Sequence, residues 1–208
     1  MSLTFPRDMT SAYDWARADL ALVHRQELSR TAGGDAQGKD LGPAVWRADY
    51  ATVPMPAAAA RAYYADLLTL RGVTWSPYVV PIPRAPQEHA GEALTSVAVN
   101  AVGADNDTLS LSGLPAGFQL RAGDYLSIET SAGGRELHML AEDVAADGTG
   151  LTGDVQVRPH VRPVVGTADA VALVDPQIEM RLEPDSLRHE RLNPALSRIS
   201  FQATQVIR

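Results

Sequence analysis

The spacing of apolar and polar residues divides the chain into three regions. Over residues 20–28, Leu20 and Leu22 recur at every second position, His24 shares their phase and Val23 breaks it, predicting a strand that runs into the turn residues Gly33-Gly34-Asp35. A second strand is predicted over 44–52, where Trp46, Ala48 and Tyr50 alternate with Val45, Arg47 and Asp49, so that one face is aromatic. Ahead of both, residues 1–17 mix Pro6, Asp8, Tyr13 and Trp15 without a sustained period and are expected to form an extended arm with aromatic anchors. Pro56 opens the one convincing helix, 56–71: proline is tolerated in a first turn and Gly72 stands where a helix stops. Ala59, Ala60, Tyr63, Tyr64, Leu67, Leu68 and Leu70 give it a broad apolar stripe to pack on a sheet. A further strand is predicted over 73–82, with Pro77, Pro81 and Pro83 placing it at a sheet edge.

Between residues 91 and 175 the texture changes to short apolar segments at 96–102, 108–111, 124–129, 135–144, 154–158 and 170–174, punctuated by Gly and Asp. Such spacing predicts a small barrel or sandwich. The turns Gly103-Ala104-Asp105-Asn106, Ser131-Ala132-Gly133-Gly134 and Asp147-Gly148-Thr149-Gly150 hold residue types that accept positive φ. From 178 the earlier style resumes, with Ile178, Met180 and Leu182 alternating and then Ile199, Phe201 and Ala203. The prediction is a mainly β fold: a β domain from residues 1–90 and 176–208, carrying the helix, interrupted by an inserted β domain at 91–175.

Composition narrows the functional classes. The 208 residues are 45% apolar and 21% charged, as in ordinary globular domains. No apolar run approaches the roughly 20 residues of a membrane helix, and no basic stretch leads into an apolar one at the N-terminus, so synthesis in the cytoplasm without a secretory signal is expected. Cysteine is absent, which removes disulfides and thiolate chemistry. The formal net charge of -7, without a Lys/Arg cluster, argues against gripping nucleic acid.

Candidate chemistry is sparse. His24, His89, His138, His160 and His189 never fall at the i, i+4 spacing of a metal-binding helix face. His138, in the alternating run 136–140, could face a pocket, but is read as an ordinary strand residue. Ser112-Gly113 lacks the flanking pattern of a nucleophile elbow. Glu142-Asp143 and Asp105 with Asp107 sit in or beside predicted turns, where solvated acids are usual, and Asp105-Asn106-Asp107 lacks the Gly and closing Glu of a calcium loop. Gly33-Gly34 and Gly133-Gly134 read as turns, not phosphate cradles. The eight aromatics Tyr13, Trp15, Trp46, Tyr50, Tyr63, Tyr64, Trp75 and Tyr78 are assigned to core or subunit interface rather than to a sugar cleft. No catalytic, cofactor or metal residue is assigned.

One texture stands apart: Leu120-Arg121-Ala122-Gly123-Asp124-Tyr125-Leu126-Ser127, then Arg135-Glu136-Leu137-His138, then Val157-Arg158-Pro159-His160-Val161-Arg162-Pro163. With residues 176–182, 199–203, Phe5-Pro6, 30–34, Trp46 and Leu68-Thr69-Leu70-Arg71-Gly72, it resembles the distal tail proteins of long-tailed, siphovirus-like phages and phage-like particles, over most of the chain. The resemblance implies a β-sandwich belt domain built from both termini with one packed helix, and an inserted domain projecting outward. It also implies a homohexameric ring at the virion tail tip, assembled in the host bacterial cytoplasm. Such a ring joins the tail tube protein to the baseplate hub protein, with tail fibres as further partners and DNA passing through the lumen without specific binding. No enzyme activity, cofactor or membrane is implied. The arm and residues 79–86 are the expected ring contacts, and Gly123-Asp124 is read as a turn into strand 125–128. Competing readings are a carbohydrate- or receptor-binding module on 91–175, a glycan hydrolase using a carboxylate pair there, and another tail connector or terminator ring.

Overall fold

The structure is a computed structural model that describes residues 3–30, 32–131 and 133–207. In chain order the elements are β1 (Arg7–Asp8), β2 (Trp15–Arg30), β3 (Ala36–Thr52), β4 (Met55–Pro56), α1 (Ala57–Leu68), β5 (Pro77–Val79), β6 (Ala98–Val102), β7 (Thr108–Ser112), β8 (Gln119–Leu120) and β9 (Tyr125–Glu129). They continue with β10 (Arg135–Leu140), β11 (Val144–Ala145), β12 (Val155–Arg158), β13 (Ala170–Ala172), β14 (Ile178–Leu182), β15 (Arg188–Arg191) and β16 (Leu196–Gln205).

The fold is mainly β with one helix, as the sequence pattern predicts. Strands from the two ends of the chain make one eight-stranded sheet in the order β1-β5-β14-β16-β3-β2, with β15 and β4 also on β16. The middle of the chain closes a six-stranded barrel, β10-β12-β7-β6-β13-β9, and β8 pairs β11 beside it. The choice between barrel and sandwich thus resolves to a barrel. The sandwich implied for the terminal strands takes the form of a single sheet, because β14 pairs β5 on one edge and β16 on the other.

The sheet's core follows from the period of two in β3: Trp46, Ala48 and Tyr50 are buried while Arg47 is exposed. They meet Ile199, Phe201 and Ala203 of β16 and Tyr63 and Leu67 of α1. Two tyrosines carry hydroxyls into this core, and each finds a backbone acceptor: Tyr50 donates to the Val80 carbonyl and Tyr63 to that of Met9, both at 2.7 Å. Burial raises the pKa of both phenols.

Three expectations change. The predicted arm is docked on its own chain: β1 pairs in parallel with β5, Tyr13 stacks on Tyr63 at 3.8 Å between centroids, and Trp15 opens β2. The helix is shorter, ending at Leu68, because Arg71 and Gly72 both take positive φ and the chain turns back, Trp75 donating its N–H to Leu70. That turn consumes residues 71–75, so the strand predicted over 73–82 shrinks to β5. It lies between β1 and β14, not at an edge.

Removing one buried hydroxyl, in Tyr50→Phe or Tyr63→Phe, is expected to lower unfolding free energy by about 1 kcal/mol, read from the urea midpoint. Gly150→Ala costs more. A Cβ there would lie 2.2 Å from the Leu114 carbonyl oxygen at a φ of +81°, so a loss above ~1 kcal/mol is expected.

Candidate functional site

Strand β10 is where the two bodies meet. Leu137 and Met139 point into the sheet's core, whereas Leu140 points into the barrel's. Because β12 pairs β10 only at Met139 and Leu140, the Leu137 carbonyl is free to accept the Trp46 indole Nε1–H at 2.8 Å. Trp46 also meets Tyr125 edge to face at 5.8 Å, and Arg135 lies 4.4 Å over the Tyr78 ring. The barrel is therefore fastened to the sheet by an aromatic anchor, not merely tethered by linkers.

Gly123-Asp124 is more than a turn. The Asp124 side chain is fully buried; its carboxylate accepts the Arg121 N–H at 2.8 Å and the Gln87 N–H at 3.0 Å. The second bond ties the entering linker to the barrel. Beside it, Asp143 accepts the Ala122 N–H and pairs with Arg121 at 2.9 Å. These bonds, first that from Ala122, hold its carboxyl below the ordinary aspartate value.

The structure brings three of the five histidines together. His24, His138 and His160 line one cleft of about 280 Å³ between the base of the β2–β3 hairpin and the segment that follows β12. His138 is 1% exposed and Glu136 2%, so neither is an ordinary solvent-facing strand residue. Arg162 reaches Glu136 at 2.8 Å, answering a carboxylate that burial alone would penalise. The His138 Nδ1 lies 2.9 Å from the Pro159 carbonyl, which can only accept, so the proton sits on Nδ1. Nε2 faces Glu136 at 3.5 Å. The period-two pattern of 136–140 could have signalled this burial, but the arrival of Arg162 from 26 residues on could not be read from it.

The other candidates stay apart. His89 lies 3.3 Å from Glu92, and His189 stacks near Tyr64. Glu142 accepts the Gln156 N–H, and the Ser112 hydroxyl donates to the Ala98 carbonyl. Gly34 and Gly133 serve turns with positive φ. Among the described residues no group of three or more His, Asp or Glu is placed to hold a metal ion, and no helix is long and apolar enough to cross a membrane.

The hairpin of β2 and β3 is a long exposed surface. Beyond Leu22 it leaves the sheet as a two-stranded ribbon. β16 pairs β3 only from Arg47 to Ala51, and among the described residues no strand pairs the outer edge of β2. Every described residue from 23 to 41 is exposed, including the apolar Val23, Leu28 and Leu41. Two bulges, at 23–25 and 25–26, twist it away from the sheet. The solvent face of the sheet, in contrast, pairs its own charges: Arg17 with Asp49 at 3.0 Å and Arg47 with Glu183 at 3.5 Å.

Trp46→Phe removes the donor and strands a buried carbonyl, so a loss of about 1–3 kcal/mol is expected in chemical denaturation. Asp143 is depressed in the folded state, so its contribution is complete above the ordinary aspartate value and is lost as pH falls through the lowered one. The Ala122 amide resonance should therefore titrate with a midpoint below that of a free aspartate. No protein-family model matches the chain, and no curated protein matches it.

Proposed function

We propose that this chain is a structural virion protein of the distal tail type, a ring subunit that joins the tail tube to the baseplate hub and leaves a lumen for DNA. One observation carries the reading: a two-stranded ribbon with two free edges and exposed apolar side chains, standing clear of its own sheet. A lone hairpin is marginal in water, and open edges are hazards unless something pairs with them. A second copy supplies that partner. The opposite end of the sheet carries the stack of Phe5 on Trp75, with Trp75 43% exposed. Using unlike surfaces on the two ends gives a head-to-tail contact, which closes into a ring. Of the expected contacts, the arm is docked on its own chain through β1 and β5, and Val79 and Val80 are buried, while Ile82 stays exposed on the 79–86 segment. The ribbon takes their place in the proposal.

The neighbouring acids Glu142 and Asp143 are engaged separately, Glu142 by the Gln156 N–H and Asp143 by the Ala122 N–H and Arg121. The barrel, fastened through Trp46, is a fixed outward platform in the assembly reading.

Light scattering and negative-stain imaging across a concentration series test the proposal. Six-fold rings, alone or on adding tail-tube protein, are expected; a persistent monomer with no affinity for tube or hub would sink it. Gln26 and Asp40 face one another in register. Replacing residues 27–39 with Asn-Gly should therefore close a short hairpin and yield a folded monomer. Rings that survive this truncation would remove the ribbon from the mechanism.

A further inference from the structure

A cleft lies at the ribbon's root, and its chemistry goes beyond the pairing of strand edges. Its volume of about 280 Å³ lies at the small end of the range for ligand sites. His24, Gln26 and Asp40 stand on the ribbon wall, Arg158 and His160 on the opposite wall, and Gln205 at one end. Beneath them lie Glu136 and His138, sealed by the ion pair with Arg162. The formal charges balance, Arg158 and Arg162 against Asp40 and Glu136. Three imidazoles and two amides add groups that both donate and accept. Leu22, Pro43 and Pro159 give the walls apolar patches between these groups.

We infer that this cleft binds a neutral polyhydroxylated ligand, one sugar unit in size. A sugar hydroxyl donates and accepts at once, and it meets both kinds of partner on both walls. Its C–H faces fit the proline and leucine surfaces. The other ligand classes fit less well. An inorganic anion would meet the carboxylates of Asp40 and Glu136, and a cation the two guanidinium groups. An apolar ligand would strip water from the rim without pairing it, a loss of the kind that disfavours binding. The ribbon wall is exposed at His24, Gln26 and Asp40, so a ligand can enter without displacing the buried ion pair.

Saturation-transfer NMR on the full chain reads the ligand, with the assembly state of the same sample read by light scattering. Glucose, galactose and N-acetylglucosamine are the probes, with inorganic phosphate, followed by 31P line width, as the counter-probe. At least one sugar should show saturable transfer at millimolar concentration, phosphate should show none, and the double variant Asp40→Ala/His160→Ala should weaken the sugar at least about tenfold. Both substituted side chains are exposed, and an unchanged circular-dichroism spectrum checks the fold. No transfer from any of the three sugars would overturn the inference, as would phosphate binding lost in the same variant, or sugar binding that the variant leaves intact. Because assembly is read separately by light scattering, a monomer that binds sugar would sink the ring proposal and keep this one, and a ring that ignores sugar would do the reverse.

Discussion

Both faces of β10 are buried, and each belongs to a different core. Leu137 and Met139 serve the sheet, while on the other face Leu140 serves the barrel and Glu136 and His138 lie buried at the cleft. A slip of one residue would exchange the two sets, driving Glu136 and His138 among Trp46, Tyr125 and Met180, so the register of this strand is fixed from two sides. The attachment of barrel to sheet, the position of the cleft and the direction of the ribbon's root all follow from it.

The same strand explains why a polar cluster sits deep in an otherwise apolar body. A carboxylate at 2% exposure is tolerated because Arg162 pairs with it, and the neighbouring imidazole of His138 is satisfied by hydrogen bonding to the Pro159 carbonyl. Asp124 obeys the same rule with two backbone N–H groups in place of a cation. In each case the acid organises a chain crossing: Asp124 holds the linker that enters the barrel, and Glu136 holds the segment that leaves β12. The barrel's polar interior groups are accordingly devices of geometry, and its acids at the surface are spent on turns and clasps, as with Asp143 and Asp147.

Seen as an assembly part, the chain divides its labour. Two cores take the large buried side chains, the sheet face pairs its own charges, and among the described residues no further strand pairs the ribbon's outer edge. An extended backbone with unpaired edges can be completed by another strand, and in the proposed ring a second copy supplies it. The cleft beneath sets polar groups among apolar wall patches over a buried ion pair, the pairing on which the inferred sugar site rests.

Much of the fold was legible in the sequence. Period-two alternation located β3, β10, β14 and β16, short apolar segments between turns located β7 and β9, and the stripe from Ala59 to Leu70 located the helix, because side-chain direction along a regular element depends only on local geometry. The shortened β5 was obscured by its prolines, and the turn at Arg71 and Gly72 by an arginine in a conformation that side chains seldom adopt. Only the tertiary structure decided that the arm folds back on its own chain, that the barrel closes, and that His24, His138 and His160 share a cleft. Those outcomes join residues tens of positions apart, such as Trp46 with Leu137 and Gln87 with Asp124. Local periodicity carries no information about which distant carbonyl or amide is left unpaired, and that is what selects the partner.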